Sequence, residues 1–234
     1  MKIGPLGAFH KVLKIRRVLS IVIGLTFLGM HPALNPLNHS HLIPQHELSS
    51  TYAYTKTLGG KALTWSKGAS IKYQISQGAT PQDIKVVAEV TEKLSQLTGY
   101  HFIYSGLSKT TAQTDSPFTW SNGSQNLLIS FASPEVSDLL GGMAAGSTVV
   151  TPTNLDKAHL DAGAIAFNQN IFNGLTPGLA AGRSQGNLVF HEFGHLIGLD
   201  HVTNPSEIMN PTLTSFLPDG PSAGYLAGIA HLYP

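Results

Sequence analysis

The chain has 234 residues, 42% of them hydrophobic, enough for one domain of ordinary size with a core and an N-terminal extension. A formal charge of +1 with only 12% charged residues offers no basic field to hold nucleic acid and no acidic tract to attract a basic partner. The absence of cysteine excludes disulfides, thiolate metal sites, cysteine nucleophiles and thiol-based latency, so any metal must sit on histidines and carboxylates.

Lys2, Lys11, Lys14, Arg16 and Arg17 precede an apolar run from Val18 to Met30, the layout of an export signal. The run is well short of the roughly 20 residues that span a bilayer, and Gly24 and Gly29 interrupt it. Residues 1–33 are therefore expected to be a signal peptide. The alternative is an uncleaved N-terminal anchor, because a cut after Ala33 puts His31 where a small residue belongs. The protein is expected to be secreted or extracellular.

Residues 34–60 read as a linker or short pro-segment, rich in Pro, Asn, His and Ser, and His31, His39, His41 and His46 in this region read as solvated side chains without metal-site spacing. The remaining residues, 61–234, form the expected catalytic domain, with order beginning near Trp65. Ile71, Tyr73 and Ile75 alternate with Lys72 and Gln74, the period of a half-buried strand. Thr80, Pro81 and Asp83 then supply an N-cap, a first-turn proline and an acid at the third helical position. Ile84, Val87, Ala88, Leu94 and Leu97 form the predicted buried face, and Gly99 is the stop.

Tyr100 to Tyr104 and Leu127 to Phe131 are short strand candidates at crossover spacing, which predicts a mixed sheet backed by a long helix. Two further candidates, Thr148 to Thr151 and Ala164 to Phe167, lie in a Gly-, Ala- and Thr-rich stretch.

Residues His191 to His201 read His-Glu-Phe-Gly-His-Leu-Ile-Gly-Leu-Asp-His. Residues four apart on a helix share a face, so His191 and His195 can direct imidazole nitrogens at one ion. Val189, Phe190, Phe193, Leu196 and Ile197 cover the other faces and predict a buried helix. Gly198 can end the helix in a left-handed residue and let His201 approach the same ion from another direction. Three imidazoles leave the fourth tetrahedral position open, which marks a catalytic Zn2+ site. Glu192, beside the first ligand, is the candidate general base that takes a proton from a zinc-activated water and returns it to the leaving amine.

These residues carry the metzincin signature, and the sequence after His201 resembles the matrixin branch. Met209, in Ser-Glu-Ile-Met-Asn-Pro, resembles the methionine of the family's Met-turn, and Gly224 to Pro234 resembles its closing helix. The resemblance implies an α/β (α+β) zincin-like domain: a twisted, mostly parallel sheet on a backing helix, a zinc-ligand helix, and a small C-terminal subdomain.

It also implies a zinc metalloendopeptidase whose substrate, a protein or peptide, binds in extended form along a sheet edge. Gly142 to Thr151 is the expected edge, and Asn210 to Pro218, with Leu213 and Phe216, the expected pocket wall. Calcium is not supported, for want of an Asp-rich loop. His101, His231, and His159 with Asp161 are expected to be structural, the last two in a surface loop. Asp200 is a candidate to orient a neighbouring ligand. A monomer is expected. The alternatives are a catalytically silent binding protein on the same fold and a zinc hydrolase of a non-protein amide.

Overall fold

The computed structural model describes residues 21–28, 51–57, 59–119, 126–154 and 158–234, and for 21–28, 118–119 and 153–154 the backbone path alone. The cations ahead of Val18 and the linker histidines lie outside the described residues.

The elements run β1 (Ile21–Leu28), β2 (Ala53–Tyr54), β3 (Ser70–Ser76), α1 (Pro81–Thr98), β4 (His101–Ser108), α2 (Ser116–Thr119) and β5 (Leu127–Ala132). They continue with β6 (Ala144–Asn154), β7 (His159–Asn168), α3 (Gln169–Asn173), α4 (Gln185–Leu196), β8 (Leu199–Asp200), β9 (Thr212–Leu213) and α5 (Ala223–Leu232). The main sheet has the order β4-β3-β5-β7-β6-β1-β9. Its first four strands are parallel and β6 runs antiparallel to β7, so the first five give the mostly parallel α/β sheet that the resemblance implies.

Local chemistry explains the backing helix. Thr80 Oγ1 accepts from the Asp83 amide at 3.2 Å while the Asp83 carboxylate accepts from the Thr80 amide at 2.8 Å. This reciprocal cap is worth about 1 kcal/mol. At the other end Gly99 takes φ 71° and its amide bonds to the Ser95 carbonyl, a left-handed stop that costs glycine nothing. The helix carries the chain from β3 to its parallel neighbour β4.

The buried stripe of α1 differs from the expected face. Val86, Val87, Val90 and Leu94 are buried, whereas Ala88 and Leu97 are exposed. The helix packs against α4 as well as under the sheet, and this second partner rotates the stripe toward Val86 and Val90.

The main core lies between the sheet and the two helices. Ile71, Tyr73 and Ile75 of β3 point into it, as their alternation predicts. Phe102 of β4 meets Phe193 of α4 edge to face at 5.6 Å, tying the sheet to the ligand helix. A smaller cluster of Ala112, Leu128, Leu139, Leu140, Val149, Ala164 and Ala166 forms separately from it.

Order begins earlier than Trp65. Ala53–Tyr54 pairs antiparallel with β8, and the Thr55 amide donates to the Gly198 carbonyl at 2.8 Å. This pairing joins residues nearly 150 apart and has no local sequence signature. His159 and Asp161, read as a surface loop, instead lie at the exposed start of β7. Among the described residues, no helix is long and apolar enough to cross a membrane.

Candidate metal centre and catalytic site

All twelve residues of α4 are buried. Ser184 caps its start, with Oγ accepting from the Asn187 amide at 3.1 Å. Its far end is closed by aromatic donors from distant segments. Trp65 Nε1 donates to the Leu196 carbonyl at 2.8 Å, and the Tyr233 hydroxyl donates to the Ile197 carbonyl. These bonds satisfy helix-end acceptors that would otherwise be orphaned in the core. The Tyr225 hydroxyl adds a bond to the Phe190 carbonyl at 3.0 Å. The helix is a fixed platform.

The chain leaves this platform through Gly198, at φ 98°. A Cβ there would lie 2.1 Å from the Leu63 carbonyl oxygen, so both backbone conformation and close approach demand glycine. The turn brings His201 back to the helix. The Nε2 atoms of His191 and His195 are 3.1 Å apart, those of His195 and His201 3.2 Å, and those of His191 and His201 3.3 Å.

That triangle fits a zinc ion. Tetrahedral ligands at the usual Zn–N length of 2.0–2.1 Å are separated by roughly 3.3 Å. The ring tautomers agree. His191 Nδ1 lies 2.6 Å from the Ile208 carbonyl and His195 Nδ1 3.1 Å from the Leu199 carbonyl, so each Nδ1 carries the proton and leaves a lone pair on Nε2. Three lone pairs aimed at one point repel unless a cation sits between them. Burial, reinforced by the charge of His201, lowers the His191 pKa to about 3. Burial first, then its two histidine neighbours, pushes His195 well down. Burial lowers His201 as well, with the Asp200 carboxylate opposing. All three are held neutral, the form that binds metal. Among the described residues, this is the one cluster of three or more metal-binding side chains.

Glu192 is also buried. Its carboxylate lies under β6, where Thr148 Oγ1 donates to Oε2 at 2.6 Å and stands 3.1 Å from the Glu192 carbonyl. A Cβ on Gly146 would come within 2.6 Å of Oε1, so β6 can cover the carboxylate only because glycine stands there. Sequence reasoning placed both in the expected edge, Gly142 to Thr151, but gave neither this role. Their role depends on a sheet strand lying over a helix more than 40 residues away.

Met209 is buried and packs against the ligand helix beside His195: a Cβ on Gly194 would lie 2.4 Å from its sulfur. The turn that carries Met209 is anchored by Glu207, a residue that no sequence pattern marks out. The Glu207 carboxylate accepts from the Ser222 hydroxyl and from the Gly224 amide at 3.0 Å, at the start of α5. Ser222 Oγ in turn accepts from the Ile208 amide at 3.1 Å. The carbonyl of that same residue holds His191, so a buried carboxylate fixes a ligand ring through two intermediates.

Asp200 acts on the backbone, accepting from the His201 amide at 2.7 Å. His231 stacks against Tyr54 with ring centroids 5.4 Å apart, and His101 is exposed on β4. Of the expected pocket residues, Leu213 is buried in the main core and Phe216 is 70% exposed. Leu213 therefore contributes packing rather than an open wall.

A family model described as matrixin, a peptidase family, matches residues 64–233. No curated protein matches the chain. Among solved structures, metalloproteinase-II from Bacteroides fragilis matches at 15% sequence identity and a TM-score of 0.42, over 76% of this chain and 57% of that one. This chain thus spans little more than half of that protein's length. The match to the family model takes in the whole triad, Glu192 and the Met209 turn, and the chain belongs to the matrixin family of zinc metalloproteases.

Proposed function

We propose that the protein is a secreted zinc-dependent endopeptidase that hydrolyses peptide bonds in extended protein or peptide substrates, with Glu192 as general base. The observation that carries this reading is the convergence of three neutral imidazoles beside a buried carboxylate held by Thr148. A purely structural site closes all four metal positions, and a binding module has no use for Glu192.

Zinc held by His191, His195 and His201 supplies a lowered water pKa and polarises the carbonyl to be attacked. The protein's own groups do the rest. Glu192 accepts the proton of the attacking water and delivers it to the nitrogen of the departing amine. Thr148 donates to one carboxylate oxygen of Glu192 and so holds the group that exchanges the proton in one orientation. The rigidity of α4 holds ligands and base in register, which favours the transition state without reorganisation. The leader-like segment before residue 34 supports secretion.

The test is cleavage of casein and of a fluorogenic peptide library by the full chain, with and without a chelator, alongside non-protein amides. Chelator-sensitive cleavage within peptides is the expected result. Zinc-loaded protein that cuts no peptide, or only a non-protein amide, would overturn the endopeptidase reading in favour of a silent binding protein or an amidohydrolase.

A further inference from the structure

The three ligands are not held alike. His191 and His195 stand on α4, and each ring is fixed by a carbonyl beside its Nδ1. His201 lies beyond the helix on irregular chain, and among the described residues no carbonyl accepts from its Nδ1. Where this ring stands therefore depends on the backbone to either side of it. Before it, the Asp200 carboxylate accepts from the His201 amide at 2.7 Å. After it, the Val202 amide donates to the Met209 carbonyl at 3.0 Å.

Asn210, the residue after Met209, completes this attachment. Its Nδ2 donates to the Val202 carbonyl at 3.3 Å and to the Thr203 carbonyl at 3.0 Å. Its Oδ1 accepts from the Thr212 amide at 3.0 Å, at the start of β9. Its own amide donates to the Glu207 carbonyl at 3.0 Å, closing the turn whose Ile208 carbonyl holds His191. Two carbonyls demand a donor and an amide demands an acceptor, so a side-chain amide of this length serves all three partners, and they fix its orientation. An aspartate here would set oxygen against oxygen. A second stitch runs beside the first: Thr214 Oγ1 donates to the Pro205 carbonyl at 2.5 Å and accepts from the Phe216 amide at 3.2 Å. The arm that carries His201 and the chain that follows the Met209 turn are thus tied into one unit.

We propose that Asn210 is a positioning residue of the metal centre: its side-chain amide fixes the backbone just after His201 and so sets where the third ligand meets the first two. Through Thr212 the same side chain ties that ligand to β9, in the stretch 210–218 expected to wall the substrate cleft; this second part rests on the endopeptidase reading. Asn210 acts by holding backbone carbonyls, so its loss lets the His201 arm shift while α4 keeps its two ligands in place. A site with one loosened ligand binds metal less tightly and in a less regular geometry.

The test uses the full chain as wild type, Asn210→Leu and Asn210→Asp. The leucine keeps the size and loses every side-chain bond, whereas the aspartate keeps the acceptor toward Thr212 and loses both donors. Zinc affinity is measured by chelator competition, ligand geometry by the visible absorption of the cobalt-substituted protein, and folding by the urea midpoint of the zinc-free forms. Turnover of a fluorogenic peptide is measured at saturating zinc. Asn210→Leu should bind zinc on the order of 10-fold more weakly than wild type, and both variants should show an altered cobalt band. KM should rise about 3-fold or more in Asn210→Leu and keep its wild-type value in Asn210→Asp.

Zinc affinity and a cobalt band equal to wild type in both variants, whatever their urea midpoints, would overturn the inference and leave the endopeptidase reading standing. Should the leucine variant fail to fold, the isosteric aspartate decides by its cobalt band. Weakened metal binding with KM unchanged in both variants would support the hold on His201 and overturn the tie to the cleft wall. A wild-type chain that cuts no peptide would overturn the endopeptidase reading, while zinc affinity and the cobalt band still decide the role of Asn210.

Discussion

The hydroxyl of Thr148 lies 2.6 Å from Oε2 of Glu192, in a buried contact between the strand bordering the site and the helix that carries two metal ligands. A hydrogen bond donated to the ionised form stabilises that form and fixes its direction. The carboxylate proposed as the base is therefore held in one direction.

Thr148→Val keeps the side-chain shape and removes the donor. A fall in kcat of about 10-fold with unchanged zinc content is expected. Thr148→Ser should restore much of the loss. An unchanged kcat in Thr148→Val would assign the residue to packing alone.

Glu207 tests the anchoring of the ligand ring. Its carboxylate accepts from Ser222 and Gly224, and Ser222 holds the Ile208 amide, whose carbonyl orients His191. Glu207→Gln retains an acceptor but loses the charge and should weaken zinc binding on the order of 10-fold, measured by chelator competition. Glu207→Ala should lose more and also lower the denaturation midpoint. Zinc affinity equal to wild type in both variants would show that the Met209 turn holds its place unaided.

These contacts mark the boundary of what the sequence discloses. Elements with local causes are readable: Thr80, Asp83 and Gly99 announce α1, and the alternation at Ile71, Tyr73 and Ile75 announces β3. The triad is readable because spacing on one helix is a local property, and Gly198 because the return of His201 requires a turn there. The pairing of Ala53–Tyr54 with β8, the Thr148 hydroxyl, the glycine at 146 and the Glu207 anchor have no local cause. Each gains its meaning from an element 15 to nearly 150 residues away. The exposed Ala88 and buried Val86 show the same limit within a correctly predicted helix, since its second partner α4 sets the orientation.

The buried histidines also set the response to acid. The folded pKa of His191 is lowered to about 3, against about 6.5 in the unfolded chain. Below pH 6.5 the unfolded state takes up a proton that the folded state refuses, so stability is complete above that pH and declines as pH falls toward 3. The slope from this histidine alone is about 1.4 kcal/mol per pH unit. His195 and His201 shift in the same direction. Urea midpoints between pH 7.5 and 4.5 should fall steadily below about pH 6, with zinc released over the same range. A midpoint independent of pH over this interval would contradict the neutral, buried triad.

The central claim, that three histidines hold the metal while Glu192 moves the proton, is tested most directly by measuring zinc content and kcat together on Glu192→Gln in the full chain. The account predicts about one zinc per chain, as in wild type, with peptide turnover reduced by 10²-fold or more. Turnover near the wild-type rate would contradict the role given to Glu192, and protein free of zinc in both forms would contradict the metal centre itself.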